Sequence, residues 1–197
     1  MDISPYLIHF TKGNDLNDAF NNLVSIISDG AIIGSNNLIK GGYNCVCFSE
    51  APIDCLSNGL INSNFYSKYS PFGIIVNKEW LFQKGGRPVI YQTESEYDLL
   101  AETQKWRHMT YNLIEEPIID FTWEREWRIN IDELYINPMD CGIILPNDSW
   151  ADCLLSMHSR NEEYEFQRNL VCYNDELLAE SLREEFPWDI WILKNEQ

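Results

Sequence analysis

The chain has 197 residues, 45% hydrophobic and 13% aromatic, which is ample for one packed core and excludes a disordered polymer. Its net charge of −17 is lopsided: residues 1–90 hold 7 acidic and 6 basic side chains, and residues 91–197 hold 24 and 8. So acidic a second half repels a phosphate backbone, which disfavours direct nucleic-acid binding; the plain reading is a solubilising surface, and the others are a surface that meets a basic partner protein or imitates DNA.

In chain order, YLIHF (6–10) reads as a short buried strand. Asn14 or Asp15 then caps a helix running to about Ser28, with Leu16, Phe20, Leu23, Val24 and Ile27 on one apolar face and Gly30 as its C-terminal cap. AIIG is a short strand or turn, and Gly41-Gly42 breaks the loop after it. In YNCVCFSE (43–50), alternation sends Cys45, Cys47 and Ser49 to one face and Val46, Phe48 and Glu50 to the other. Pro52 ends that strand, and IDCLSNGLI (53–61) is expected to be a short helix.

Residues 72–92 predict a strand, a turn of helix, a Gly85-Gly86 turn and another strand. The stretch 94–114 is long enough for a helix, with Tyr97, Leu100, Ala101 and Trp106 inward. IIDFTWEREWRINI (118–131) and CGIILP (141–146) read as strands. After the turn Pro146-Asn147-Asp148-Ser149, residues 149–173 and 175–186 read as helices, and WDIWILK (188–194) as a strand able to return to the sheet. The expected architecture is a single α+β domain, with a curved, largely antiparallel sheet over 1–146 and an acidic helical part over 147–197.

The strand at 118–131 raises the functional question. Strict alternation turns Phe121, Trp123, Arg125, Trp127 and Ile129 inward and leaves Thr122, Glu124, Glu126 and Arg128 on the other face. That second face is a row of charges about 7 Å apart. As a solvated surface, its Glu126 and Arg128 would neutralise each other and contribute under about 1 kcal/mol. As one wall of a cleft, the same residues would be chemistry.

Other features narrow the setting. No apolar run approaches the roughly 20 residues of a membrane span, and the N-terminal sequence has neither the basic start nor the apolar stretch of a signal peptide. A cytoplasmic location and six reduced cysteines are therefore expected. His9, His108 and His158 have no partners at ligand spacing, so no metal is expected. Phosphate-binding glycine motifs, a nucleophile elbow and HExxH are all missing from the sequence.

The order His9-Phe10-Thr11, a helix ending in glycine, CVCFSEAPI, YSPFGIIVNKEW, GGRPVIY and EREWR resembles the AbiGi-like abortive-infection proteins over residues 6–130. That resemblance implies a phage-defence or toxin–antitoxin setting, in which one component acts as an antitoxin. A fainter resemblance, to ADP-ribosyltransferases, implies a split antiparallel sheet around NAD. Carried over, His9 with Thr11 takes the first-strand position, Ser49 or Tyr69 the middle one, and Glu126, preceded by Glu124, the later Glu-x-Glu. Glu126 would then stabilise the oxocarbenium-like state and Glu124 would orient or deprotonate a nucleophile. His9, Phe10, Thr11, Ser49 and Tyr69 would hold NAD, and Arg128 would either compete for Glu126 or bind the pyrophosphate. The alternative is a non-catalytic acidic antitoxin, inhibitor or DNA mimic that binds a basic protein.

Overall fold

The computed structural model describes residues 4–51, 70–114 and 116–193. The expected helix at 53–61 and the candidate residue Tyr69 lie outside these described residues.

The first strand, β1 (Tyr6–Phe10), leads into helix α1 (Leu16–Asp29). Asp15 caps α1 by accepting the Asp18 N–H at 2.8 Å, and Gly30 ends it at φ 62°, a left-handed conformation that glycine adopts without steric cost. There follow β2 (Ala31–Ile33), β3 (Cys45–Ser49), β4 (Gly73–Asn77), α2 (Lys78–Gln83), β5 (Arg87–Pro88) and β6 (Ile90–Gln92). The second half brings β7 (His108–Thr110), β8 (Glu126–Asn130), β9 (Glu133–Tyr135), β10 (Cys141–Leu145), α3 (Asp148–Tyr173), α4 (Glu176–Ser181) and β11 (Asp189–Ile192).

These form an α+β fold around a seven-stranded, mostly antiparallel open sheet in the order β11-β10-β4-β1-β3-β8-β5. Its one parallel pairing is β10 with β11, so the C-terminal strand does return to the sheet. On one face α1, through Ala19, Phe20 and Leu23, and α3, through Leu154, cover Leu7, Val46, Phe48, Ile74, Trp127 and Ile129. Ile8, Phe10, Ala51, Ile75 and Ile144 form a smaller cluster on the other face. Among the described residues no helix is long and apolar enough to cross a membrane.

Three expected elements differ. Residues 94–114 do not form one helix. They make two 3-10 turns, Glu94–Leu99 and Glu102–Arg107, and then β7, because Leu100 and Ala101 swing to extended ψ values of 141° and 143°. The apolar anchors Tyr97 and Trp106 are buried, whereas Ala101 is exposed. Such spacing gives no continuous helical stripe to bury.

The strand expected over 118–131 spans only Glu126–Asn130. Asp120 accepts both the N–H and the hydroxyl of Thr122, which folds residues 122–124 into a 3-10 turn, and Arg125 takes a left-handed φ of 46°. Trp123, expected inward, is 39% exposed. The helix expected over 175–186 stops at Ser181.

Candidate functional site

Strands β1 and β3 pair at one register position, Ile8 opposite Ser49. Beyond it they part, and where a continued ladder would offer a backbone N–H, the Cys47 carbonyl is met by His9 Nδ1 at 2.9 Å. A carbonyl only accepts, so Nδ1 carries the proton and Nε2 keeps the lone pair. Burial depresses the His9 pKa below 6.5, against the opposing bond to Cys47, and Lys12 adds to the depression; the ring is therefore neutral at pH 7.

A cavity of about 460 Å³ opens at this parting, within the range of ligand pockets. His9 and Phe10 from β1, and Cys47, Phe48 and Ser49 from β3, meet Glu124, Glu126 and Arg128 there. Since Ile8 pairs with Ser49 and Ser49 with Glu126, three adjacent strands span it, roughly 10 Å from the first to the third.

The charged row is buried rather than solvated. Arg128 is 2% exposed, Glu124 4% and Glu126 7%, and the stretch Trp106 to Met109 lies over Arg128. Arg128 grips Glu126 with two bonds, Nε to Oε1 at 2.7 Å and Nη2 to Oε2 at 3.2 Å. Its Nη1 donates to the carbonyls of His108 at 2.8 Å and Trp106 at 3.2 Å, and Nη2 reaches Met109 Sδ at 3.8 Å. All five guanidinium N–H donors are thereby used, which leaves none for a pyrophosphate. Arg128 instead fixes the Glu126 carboxylate, which also shares a hydrogen bond with the Cys47 thiol and keeps a further lone pair for another donor.

Glu124 reaches the cavity from the turn ahead of β8. Ser49 Oγ donates to the Glu124 carbonyl at 2.9 Å and accepts the Ala51 N–H at 3.2 Å, so its hydroxyl pins that turn. Thr11 is buried and is not among the lining residues. Its hydroxyl donates to the Ala19 carbonyl at 2.8 Å, tying β1 to α1. Glu50 faces away from the cavity, as alternation expects, bonded to Lys78 at 2.6 Å and to Trp127 Nε1 at 2.8 Å.

Sequence reasoning missed several contributors. Tyr91 donates its hydroxyl to the Phe121 carbonyl at 3.1 Å and accepts the Glu126 N–H at 3.3 Å, bracketing the turn that carries both carboxylates. Burial, aided by those carboxylates and opposed by the Glu126 N–H, pushes the Tyr91 pKa up, so it stays a donor. Met109, Thr110, Ile119 and Phe121 complete a largely apolar wall, and exposed Lys12 stands at the rim. None of these carries a local marker, since only the fold brings Met109, Thr110, Ile119 and Phe121 to the pocket that β3 lines. Burial, with the Glu126 carboxylate adding to it, also raises the Cys47 thiol, which stays protonated. Among the described residues no group of three or more His, Cys, Asp or Glu side chains could hold a metal.

Comparison of the chain with protein-family models, with curated proteins and with solved structures found no match.

Proposed function

We propose that this cavity binds NAD and that the protein transfers ADP-ribose to a macromolecular target, in the phage-defence setting that the AbiGi-like resemblance implies. The observation carrying the reading is that adjacent strands β1, β3 and β8 bring His9, Ser49 and Glu126 around one pocket. The order of residue types along those strands is the one the ADP-ribosyltransferase resemblance implies.

Each group then has a task. The bond between nicotinamide nitrogen and ribose C1′ breaks, and nicotinamide leaves as a neutral ring with the electron pair. Glu126, held by Arg128, accepts a ribose hydroxyl with a remaining lone pair and stabilises the positive charge developing at C1′. A nucleophile of the target attacks C1′, and Glu124 takes its proton. His9 offers Nε2 to a ribose hydroxyl or the nicotinamide amide, the apolar wall takes the rings, and Lys12 replaces Arg128 as the cation for the pyrophosphate.

Calorimetric titration of NAD into the wild type, His9→Gln and Glu126→Gln tests this, with nicotinamide release as a second readout. Saturable binding weakened by His9→Gln, with release abolished by Glu126→Gln, is the expected result. No heat at millimolar NAD from a folded protein would reject the cofactor and make the charged row a structural feature.

A further inference from the structure

A second feature lies away from the cavity and is independent of its chemistry. Helix α3 packs on the core through Trp150, Ala151, Leu154 and Met157, all in its first three turns. Its remaining length pairs with α4 and the segment after it. Arg183 binds Glu163 at 2.8 Å and Glu180 at 3.0 Å and stacks on Phe166, and His158 meets the Glu184 carbonyl at 2.9 Å. These two helices form a hairpin that turns at Asn174, in left-handed φ 50°.

Apolar side chains crowd the turn of that hairpin and face solvent. Val171 is 83% exposed, Leu177 85% and Tyr173 56%, with Leu178 and Leu182 also exposed. Single exposed apolar residues need no explanation, but five within twelve positions at one end of a hairpin do. Residues 148–186 also carry ten acidic side chains against three arginines, a net charge of −7. Each arginine is engaged within the hairpin: Arg160 with the Ser156 carbonyl, Arg168 with Glu165, and Arg183 as above.

We infer that the α3–α4 tip is a docking surface for a basic protein, one whose apolar slot is bordered by lysine and arginine. The charge selects this occupant. The tip itself, residues 165–182, carries four acidic side chains against one arginine, so a second copy would bring two acidic surfaces together, and an anionic membrane or a nucleic acid would be repelled likewise. Only a cationic partner lets the leucines be buried while the acidic flanks gain rather than lose energy.

The test is fluorescence anisotropy of a labelled amphipathic Leu/Lys helical peptide with the full chain, beside a Ser/Lys peptide of equal charge. Val171→Ser with Leu177→Ser is the variant, both side chains being in solvent, and Ile33→Ser, 68% exposed on β2, is the control. Saturable binding of the Leu/Lys peptide, weakened at least tenfold by the tip variant and unchanged by the control, is expected. No binding, equal binding of both peptides, or binding indifferent to the tip variant would overturn the inference. So would sedimentation showing a dimer that the tip variant dissolves, since that assigns the surface to a second copy. NAD titration reads the cavity separately, so failure of either idea leaves the other standing.

Discussion

Replacing Arg128 by Met keeps most of the side-chain volume and removes the charge. The Glu126 carboxylate then stays where it is, 7% exposed, with its two strongest hydrogen bonds gone. Two buried carbonyls, of Trp106 and His108, lose their donor as well. Breaking a buried pair from one side costs roughly 3–5 kcal/mol, most of it the desolvation of the stranded charge. Glu126→Gln should cost less, roughly 1–3 kcal/mol, because the amide oxygen can still accept from Nε. The double change Glu126→Met with Arg128→Met should cost less than the sum of its two single changes, with a coupling of about 2 kcal/mol or more. Urea unfolding followed by tryptophan fluorescence measures all of these. With a slope near 2 kcal/mol/M, Arg128→Met shifts the midpoint by roughly 1.5–2.5 M. Costs below about 1 kcal/mol for Arg128→Met would refute the reasoning, for that is the worth of a solvated surface pair.

Further predictions follow from the same geometry. The depressed His9 pKa means that the unfolded chain binds the extra proton, so stability should fall as pH drops below the unfolded value of 6.5; His9→Gln should flatten that slope in urea titrations at stepped pH. Native alkylation with iodoacetamide, read by mass spectrometry, should label exposed Cys153 and Cys172 and spare Cys45 and Cys141, whose thiols burial raises to about 11. Gly73→Ala places a Cβ against the His9 carbonyl on the neighbouring strand, and should lower the melting temperature and, with it, weaken the NAD binding we propose. Tyr91→Phe should leave the fold intact, costing about 1 kcal/mol, while amide exchange at Glu126 accelerates as its acceptor is lost; unchanged exchange would show that the turn holds without it.

Much of the architecture was legible in the chain because local chemistry dictates it. Asp15 and Gly30 bound α1 with their own side chain and backbone freedom. The alternation in CVCFS set Val46 and Phe48 in the core under the helices and turned Cys47 and Ser49 to the cavity, whose edge Phe48 also reaches. The same rule placed Trp127 opposite Glu126 and Arg128, which pattern alone can do wherever a strand is regular. It failed one residue earlier, at Arg125, where an Asp120-led turn and a positive φ overrode the periodicity. The 94–114 segment failed for a related reason: its length permitted a helix, but its apolar anchors, nine residues apart, are buried from two separate turns.

Where a segment is regular, the sequence by itself determined the element type, the caps and which side chains share a strand face, because these depend on neighbours within a few positions. Tertiary structure decided what covers each face. Whether Glu126 and Arg128 meet water or protein depends on a segment some twenty residues away, whose carbonyls complete the guanidinium's set of acceptors. The cavity is likewise bounded by a contact between His9 and Cys47, 38 positions apart. Periodicity carries no information over such distances, so a charged row of one pattern reads alike as a wet surface or as a buried site.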